Sequence, residues 1–288
     1  MTDFIITFRE TLEAALVVGI VLSHLAQTNA KGWFKIVYWA IGLAIMASIV
    51  AGYIFESYLG GFEGLTEQIY EGAIMLTAAA LISWMVLWMA RQSKHISGHI
   101  KEKIDQHVQT GRKIGIFFLV FLSVLREGIE TVLFLKAAAL QAGGNNLMAS
   151  VLGIGAAIIL GALIFSGLRK VNMKRFFQIT SVVLVLFAAG LVAHGVHEFQ
   201  EAGVFPVFIE QVWDLNPAVT QDGVYPLLHE NGTIGSLLKG VFGWNGNPSL
   251  LEVASYFAYL LLMIMITSGI KRAQWKTGAM EQRESNRD

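Results

Sequence analysis

Two short windows hold the residues best suited to chemistry. In FRETLEAALVVGIVL (8–22), Arg9, Glu10 and Glu13 stand at the head of an unbroken apolar run. In LREGIETVLFL (125–135), Arg126, Glu127 and Glu130 repeat the arrangement. An ionised side chain at mid-bilayer depth costs at least ~2.5–3.5 kcal/mol, so such residues are usually retained for a task. Both windows read Arg-Glu-x-x-Glu. On a helix the two glutamates share a face, and the arginine lies one turn from the second. Each helix therefore presents two carboxylates beside one guanidinium.

Two readings compete. In the plainer one the charges are internally neutralised ion pairs that help helices pack. It accounts for one glutamate per arginine and leaves a spare carboxylate on each helix, Glu10 and Glu127 by the four-residue spacing. In the other, Glu10, Glu13, Glu127 and Glu130 converge as metal ligands with Arg9 and Arg126 as charge partners, leaving a formal −2. All-oxygen ligation favours hard cations: Ca²⁺, Mg²⁺, Mn²⁺ or Fe³⁺, with Fe²⁺ within reach. The lack of histidine inside the motif argues against a site selective for Cu⁺ or Zn²⁺.

A further cluster, HGVHEFQEAG (194–203), places His194, His197, Glu198 and Glu201 on one helical stripe. It is either a set of nitrogen and oxygen ligands forming an outer access site, or ordinary interfacial polarity at a helix end. Glu71, at an outer helix start, joins it as a weaker candidate. Glu252, near the outer end of the last span, is a weaker candidate too, and snorkelling to the interface would explain either.

The elements that must position these residues are membrane spans. The chain has 288 residues, of which 55% are hydrophobic and 15% charged. Soluble domains carry about 25% charged residues. Zero cysteines exclude disulfides and thiolate metal sites. A net charge of zero gives no reason to expect nucleic acid as a partner. The first ten residues lack the basic region of a cleaved signal peptide, so the first apolar run is expected to be retained.

Spanning the ~30 Å hydrocarbon core of a lipid bilayer takes about 20 apolar residues. Seven segments qualify: 3–27, 33–55, 66–90, 114–141, 147–168, 176–200 and 250–270. An all-α, polytopic membrane protein with seven transmembrane helices is expected. Residues 1–270 would form one transmembrane domain with an external cap at 201–249, followed by a cytoplasmic tail at 271–288. All but four of the 21 basic residues fall in alternate connections and the tail; the exceptions are Arg9, Arg126, Lys136 and Lys239. The positive-inside rule then puts the N-terminus outside and the C-terminus inside.

The outside connections are acidic instead, with Glu56, Glu63, Glu67 and Glu71, then Glu201, Glu210, Asp214, Asp222 and Glu230. That is either a solvated surface or a mouth that concentrates cations. The segment 201–249 holds all four prolines and is long for a structureless loop, so a folded cap is expected. A lone sequon at Asn231 and a His95/His99 pair are weak signals.

At ~1.5 Å per residue, Glu10 and Glu13 lie roughly 9–14 Å below the outer boundary. Glu127 and Glu130, on an oppositely directed span, lie about 6–10 Å below it. Three spans separate the motifs, so a duplication of spans one to three as four to six would be an inverted repeat, plus one span. Such repeats build transporter sites at their interface.

With these motifs the chain resembles the high-affinity iron permease family: the oxidase-dependent iron permease of fungi and its bacterial ferrous-iron-uptake counterparts. FRETLEAALVVGIVL, LREGIETVLFL, HEFQEAG and LLKGVFGWNGNPSLLEVASYFAYLL look like family blocks and cover nearly the whole chain. One departure is Thr11, where a glycine often follows Arg-Glu, as Gly128 does in the second motif. The resemblance implies iron uptake across the plasma or bacterial inner membrane, with Arg9, Glu10, Glu13, Arg126, Glu127 and Glu130 as the motif positions. Iron would be transported substrate rather than cofactor, and the protein no enzyme. It also implies an extracytoplasmic iron-oxidising partner, a multicopper ferroxidase in fungi or cupredoxin-like and haem peroxidase proteins in bacteria. A permease for lead or manganese is the nearer rival. A di-iron carboxylate oxidase is the more distant one, since bundle di-iron sites combine lone Glu with Glu-x-x-His pairs.

Overall fold

The structure is a computed structural model that describes residues 2–59, 64–92, 104, 113–144, 146–166, 173–216, 225, 229–230 and 232–285. His95, His99, Glu63, Asp222 and Asn231 lie outside the described residues. The described residues are helical with no strand. The long helices are α1 (Thr2–Gln27), α2 (Phe34–Leu59), α3 (Leu65–Gln92), α4 (Lys113–Ala142), α5 (Leu147–Phe165) and α6 (Met173–Glu201). A short α7 (Thr233–Phe242) precedes the last helix, α8 (Leu250–Ser285).

Long apolar runs without proline sustain these helices, and local backbone chemistry ends them. Beyond α1, Asn29 adopts φ 57°, and the Ala30 amide bonds the Leu25 carbonyl at 2.8 Å. Beyond α4, Gly143 takes φ 77°, a conformation that costs glycine nothing. Asn146 caps α5 by accepting from the Ala149 amide at 3.0 Å. The last helix, α8, continues through most of the expected tail at 271–288, to Ser285.

Among the described residues, five stretches are long and apolar enough to cross a membrane: Lys31–Ser57, Leu65–Ala90, Leu147–Phe165, Arg175–Glu201 and Leu250–Ile270. The remaining long helices, α1 and α4, have 26 and 30 residues and carry the two charged motifs. Large apolar side chains point outward from α2 (Trp39, Met46, Tyr53), α5 (Val151, Ile159) and α8 (Phe257, Leu261, Ile264). Water would penalise such a surface, whereas lipid suits it. The protein is a multi-pass membrane protein.

The helix pairing follows a repeat. The α1 helix packs along α5 as α4 packs along α2, while α1 meets α4 and α3 meets α6. Exchanging the first three helices with the next three leaves these pairings unchanged. The contacts agree at residue level. Ala15, six residues after Arg9, lies against Gly161 of α5. Val132, six after Arg126, lies against Gly52 of α2. Gly128 itself is pressed on Ser48, where any Cβ would collide; its counterpart Thr11 is only partly buried.

The segment 201–249 is folded where it is described. Backbone bonds join Val212 to Pro248 (2.9 Å), Leu215 to Gly246 (2.7 Å) and Leu250 to Ile209 (3.1 Å). The cap helix α7 sits on the N-terminus of α1, with the Thr2 hydroxyl donating to the Gly240 carbonyl. Gln141 of α4 donates to the Lys239 carbonyl at 2.9 Å. Within the cap, burial pushes the Glu230 carboxyl up. The Lys239 ammonium at 3.0 Å and further hydrogen bonds outweigh that and hold it below the usual carboxylate range.

Thr2 and Asp3 are consequently buried, and Asp3 accepts from the Asn146 amide at 2.6 Å. The start of α1 thus lies beneath a cap rather than at a free surface.

Candidate metal centre

The packing of α1 on α4 brings the two motifs together. Glu10, Glu127 and Glu130 each offer a carboxylate oxygen, and these oxygens lie within 4.8 Å of one another. Among the described residues no other group of three His, Asp or Glu side chains does so. Small side-chain adjustments would let all three reach one hard cation at bond lengths of about 2.0–2.6 Å. Glu13 stands beside this group rather than in it, bound to Arg9.

Arg9 is wholly buried, at 0% exposure. Its Nη1 donates to Glu10 Oε1 at 2.8 Å, and its Nη2 lies 2.7 Å from Glu13 Oε1. The same two nitrogens face α3, Nη1 donating to Met85 Sδ at 2.8 Å and Nη2 to Met89 Sδ at 3.0 Å. Arg126 differs, with a side chain 47% exposed. Its Nε donates to Glu130 Oε1 at 2.7 Å, and its guanidinium lies 5.6 Å from the centre of the Trp88 ring.

One expectation is thereby corrected. A spare carboxylate on each helix, Glu10 and Glu127, holds for α4 but not for α1, where Arg9 engages both Glu10 and Glu13. A guanidinium with no water around it turns its N–H groups to whatever acceptors surround it. A half-exposed one has solvent for the rest. Even so, Glu10 Oε2 and Glu127 Oε2 are buried without a hydrogen-bond partner. A buried anionic oxygen without a donor is costly, and a cation would relieve both.

The α6 stripe divides among neighbours. His197 Nδ1 lies 3.0 Å from Glu252 Oε1, and its Nε2 lies 3.2 Å from Glu201 Oε1. Gln68 of α3 donates to Glu201 Oε2 at 3.0 Å. Glu198 turns to α3, within electrostatic reach of Glu71 and Glu67. His194 faces the α7–α8 side near Lys239 and Glu252, its Nδ1 buried without a hydrogen-bond partner.

Glu252 is not snorkelling. It is 1% exposed and accepts from Asn245 Nδ2 (2.7 Å) and the Ser249 amide (3.0 Å), while Ser249 Oγ takes the Glu252 amide at 3.3 Å. That is a capping box, and its signal, Ser-Leu-Leu-Glu before an apolar run, was present in the sequence. Met85, Met89 and Trp88 had no such signal. Apolar residues in an apolar span read as core or lipid face.

Residues 1–271 match the Iron permease FTR1 family. The chain is 32% identical over 261 residues to the ferrous iron permease EfeU of Escherichia coli O6:H1, covering 90% of this chain and 91% of that protein. It is 33% identical over 266 residues to the ferrous iron permease EfeU of Yersinia pestis, covering 91% of each. No solved structure matches. With its motif-bearing helices packed face to face among apolar spans, the chain belongs to the iron permease FTR1 family.

Proposed function

We propose that the protein imports iron across the plasma or bacterial inner membrane through a site formed by Glu10, Glu13, Glu127 and Glu130. Arg9 and Arg126 hold the carboxylates in place. The observation that carries this reading is the meeting of three carboxylate oxygens from two helices within 4.8 Å, two of the residues having an unpartnered buried oxygen. Family membership and the ferrous iron permeases among the relatives supply the identity of the cation. Four carboxylates and two guanidinium groups leave −2, which one Fe²⁺ cancels and one Fe³⁺ overshoots. A dehydrated ion is tolerated at such depth only when its charge is balanced. The interface of the two three-helix halves is where alternating access would expose the site to either side.

In this reading the N-terminus is outside and seven helices span. Glu67, Glu71, His197, Glu198 and Glu201, with His194 behind them, form the outer approach. An extracytoplasmic iron-oxidising protein, multicopper ferroxidase-like or cupredoxin- and haem peroxidase-like, supplies iron to that face. The test is uptake of radiolabelled Fe²⁺ and Fe³⁺ by proteoliposomes, with Mn²⁺ and Pb²⁺ as parallel substrates. Saturable iron accumulation is expected. Accumulation of Mn²⁺ or Pb²⁺ without iron would make it a permease for that cation. Iron-dependent oxygen consumption without accumulation would make it an oxidase.

A further inference from the structure

One face of α3 touches both motif arginines. Met85, Trp88 and Met89 stand at spacings of three and four residues, hence on one side of the helix. Trp88 lies against Arg126, while the two thioethers meet Arg9. The division of hydrogens at Arg9 is specific. Each terminal nitrogen carries two hydrogens, and each faces one carboxylate oxygen and one sulfur. Nη1 donates to Glu10 Oε1 and to Met85, while Nη2 donates to Met89 and lies in ion-pair contact with Glu13 Oε1, 2.7 Å away. A guanidinium left to itself grips a carboxylate through two parallel N–H···O bonds. Here it does not, and Glu10 Oε2 stays without a partner.

We propose that Met85 and Met89 are positioning residues for cation binding: by accepting one hydrogen from each terminal nitrogen of Arg9, they keep it from clasping Glu10 with two bonds. The second oxygen of Glu10 is thereby left to the cation. This rests on the reading of Glu10 as a ligand. The thioether suits the task because it is a weak, uncharged acceptor. It occupies a hydrogen without adding charge, and it fits among Ile82, Val86 and Phe134 in the surrounding core. Leucine has nearly the same volume and no acceptor. The Arg9 Nε already has no hydrogen-bond partner; a Met85→Leu protein would add an unmatched N–H on Nη1, the nitrogen that already bonds Glu10, and the guanidinium would turn to satisfy it on Glu10 Oε2. The cation would then have to displace a hydrogen bond in order to bind.

The experiment measures initial rates of radiolabelled iron uptake into proteoliposomes at matched protein amounts, for Met85→Leu, Met89→Leu, Met85→Gln and Glu10→Gln. Met85→Leu should raise the iron KM about tenfold, the factor set by one hydrogen bond of ordinary net strength, with the maximal rate within about twofold. Met89→Leu, which acts on the nitrogen beside Glu13, should do less. Met85→Gln keeps the length and restores an acceptor, so it should return the KM most of the way. If Met85→Leu keeps the wild-type KM, or if Leu and Gln impair alike, the thioether is only packing and the inference falls. Should Met85→Leu fail to accumulate, Met89→Leu and Met85→Gln decide it: a wild-type KM in the first with an impaired KM in the second overturns it. Wild-type uptake by Glu10→Gln would overturn the ligand reading and this inference together. Loss of uptake there with an unchanged Met85→Leu would overturn only this one.

Discussion

The helices α1 and α4 carry the same five-residue motif and treat it in opposite ways. In α1 the arginine is sealed, surrounded by two carboxylates and two thioethers. In α4 the arginine is half exposed, with one carboxylate and one indole face as partners. Lipid is a poor neighbour for a guanidinium at mid-helix, so the exposed side of Arg126 requires water or another polar surface. A repeat in sequence has thus become a difference in environment. In the proposed site the arginine of the α1 half is sealed, and that of the α4 half is partly exposed.

Removing the arginines should give the largest contrast. Arg9→Ala strands two buried carboxylates, and breaking a buried pair in this way costs about 3–5 kcal/mol. Arg126→Ala removes a partly solvated ion pair, worth about 0–1 kcal/mol, and an indole contact of similar size. Thermal unfolding in detergent should therefore show a severe loss for Arg9→Ala and a minor one for Arg126→Ala. Equal losses would mean that the two halves are energetically alike.

Solvent access should separate the halves by reactivity. The chain has no cysteine, so single substitutions report cleanly. Arg126→Cys should react readily with a small water-soluble thiol reagent, since the reacting thiolate needs access and water. Met85→Cys, at a position 1% exposed, should resist it. Protection of Arg126→Cys by added iron would sharpen the picture, and rapid labelling of Met85→Cys would break it.

A smaller effect is expected farther out. His197 and Glu201 pair with each other and with residues of α3 and α8. As an approach rather than the binding site, His197→Ala and Glu201→Ala should raise the apparent iron KM while leaving uptake at high iron. Uptake indistinguishable from wild type at limiting iron would make the cluster purely structural.

Much of this was legible in the residues, for identifiable reasons. Six of the seven expected spans end within about four residues of helices α1 to α6, because apolar runs of that length have few alternatives. The seventh coincides with the apolar stretch Leu250–Ile270, and its helix continues beyond that stretch to Ser285. The motif stood out because charge in an apolar run is expensive. The partner of each charge was hidden. A four-residue spacing favoured Arg9 with Glu13, but only the packing of α3 and α4 around Arg9 explains why it also takes Glu10. Nor could spacing tell that His197 and Glu198, adjacent in sequence, turn to α8 and α3 respectively. The helical period assigns a face to each residue, not the helix that the face will meet.

The central claim, that the motifs form one carboxylate site rather than two packing ion pairs, is tested most directly by Glu10→Gln and Glu127→Gln. Glutamine keeps the size and hydrogen-bonding capacity while removing the charge and an anionic ligand oxygen. Radiolabelled iron uptake into proteoliposomes, compared at matched protein amounts, should be nearly abolished in both. Wild-type iron flux in both variants would contradict the account, leaving the charges as packing pairs and the site elsewhere.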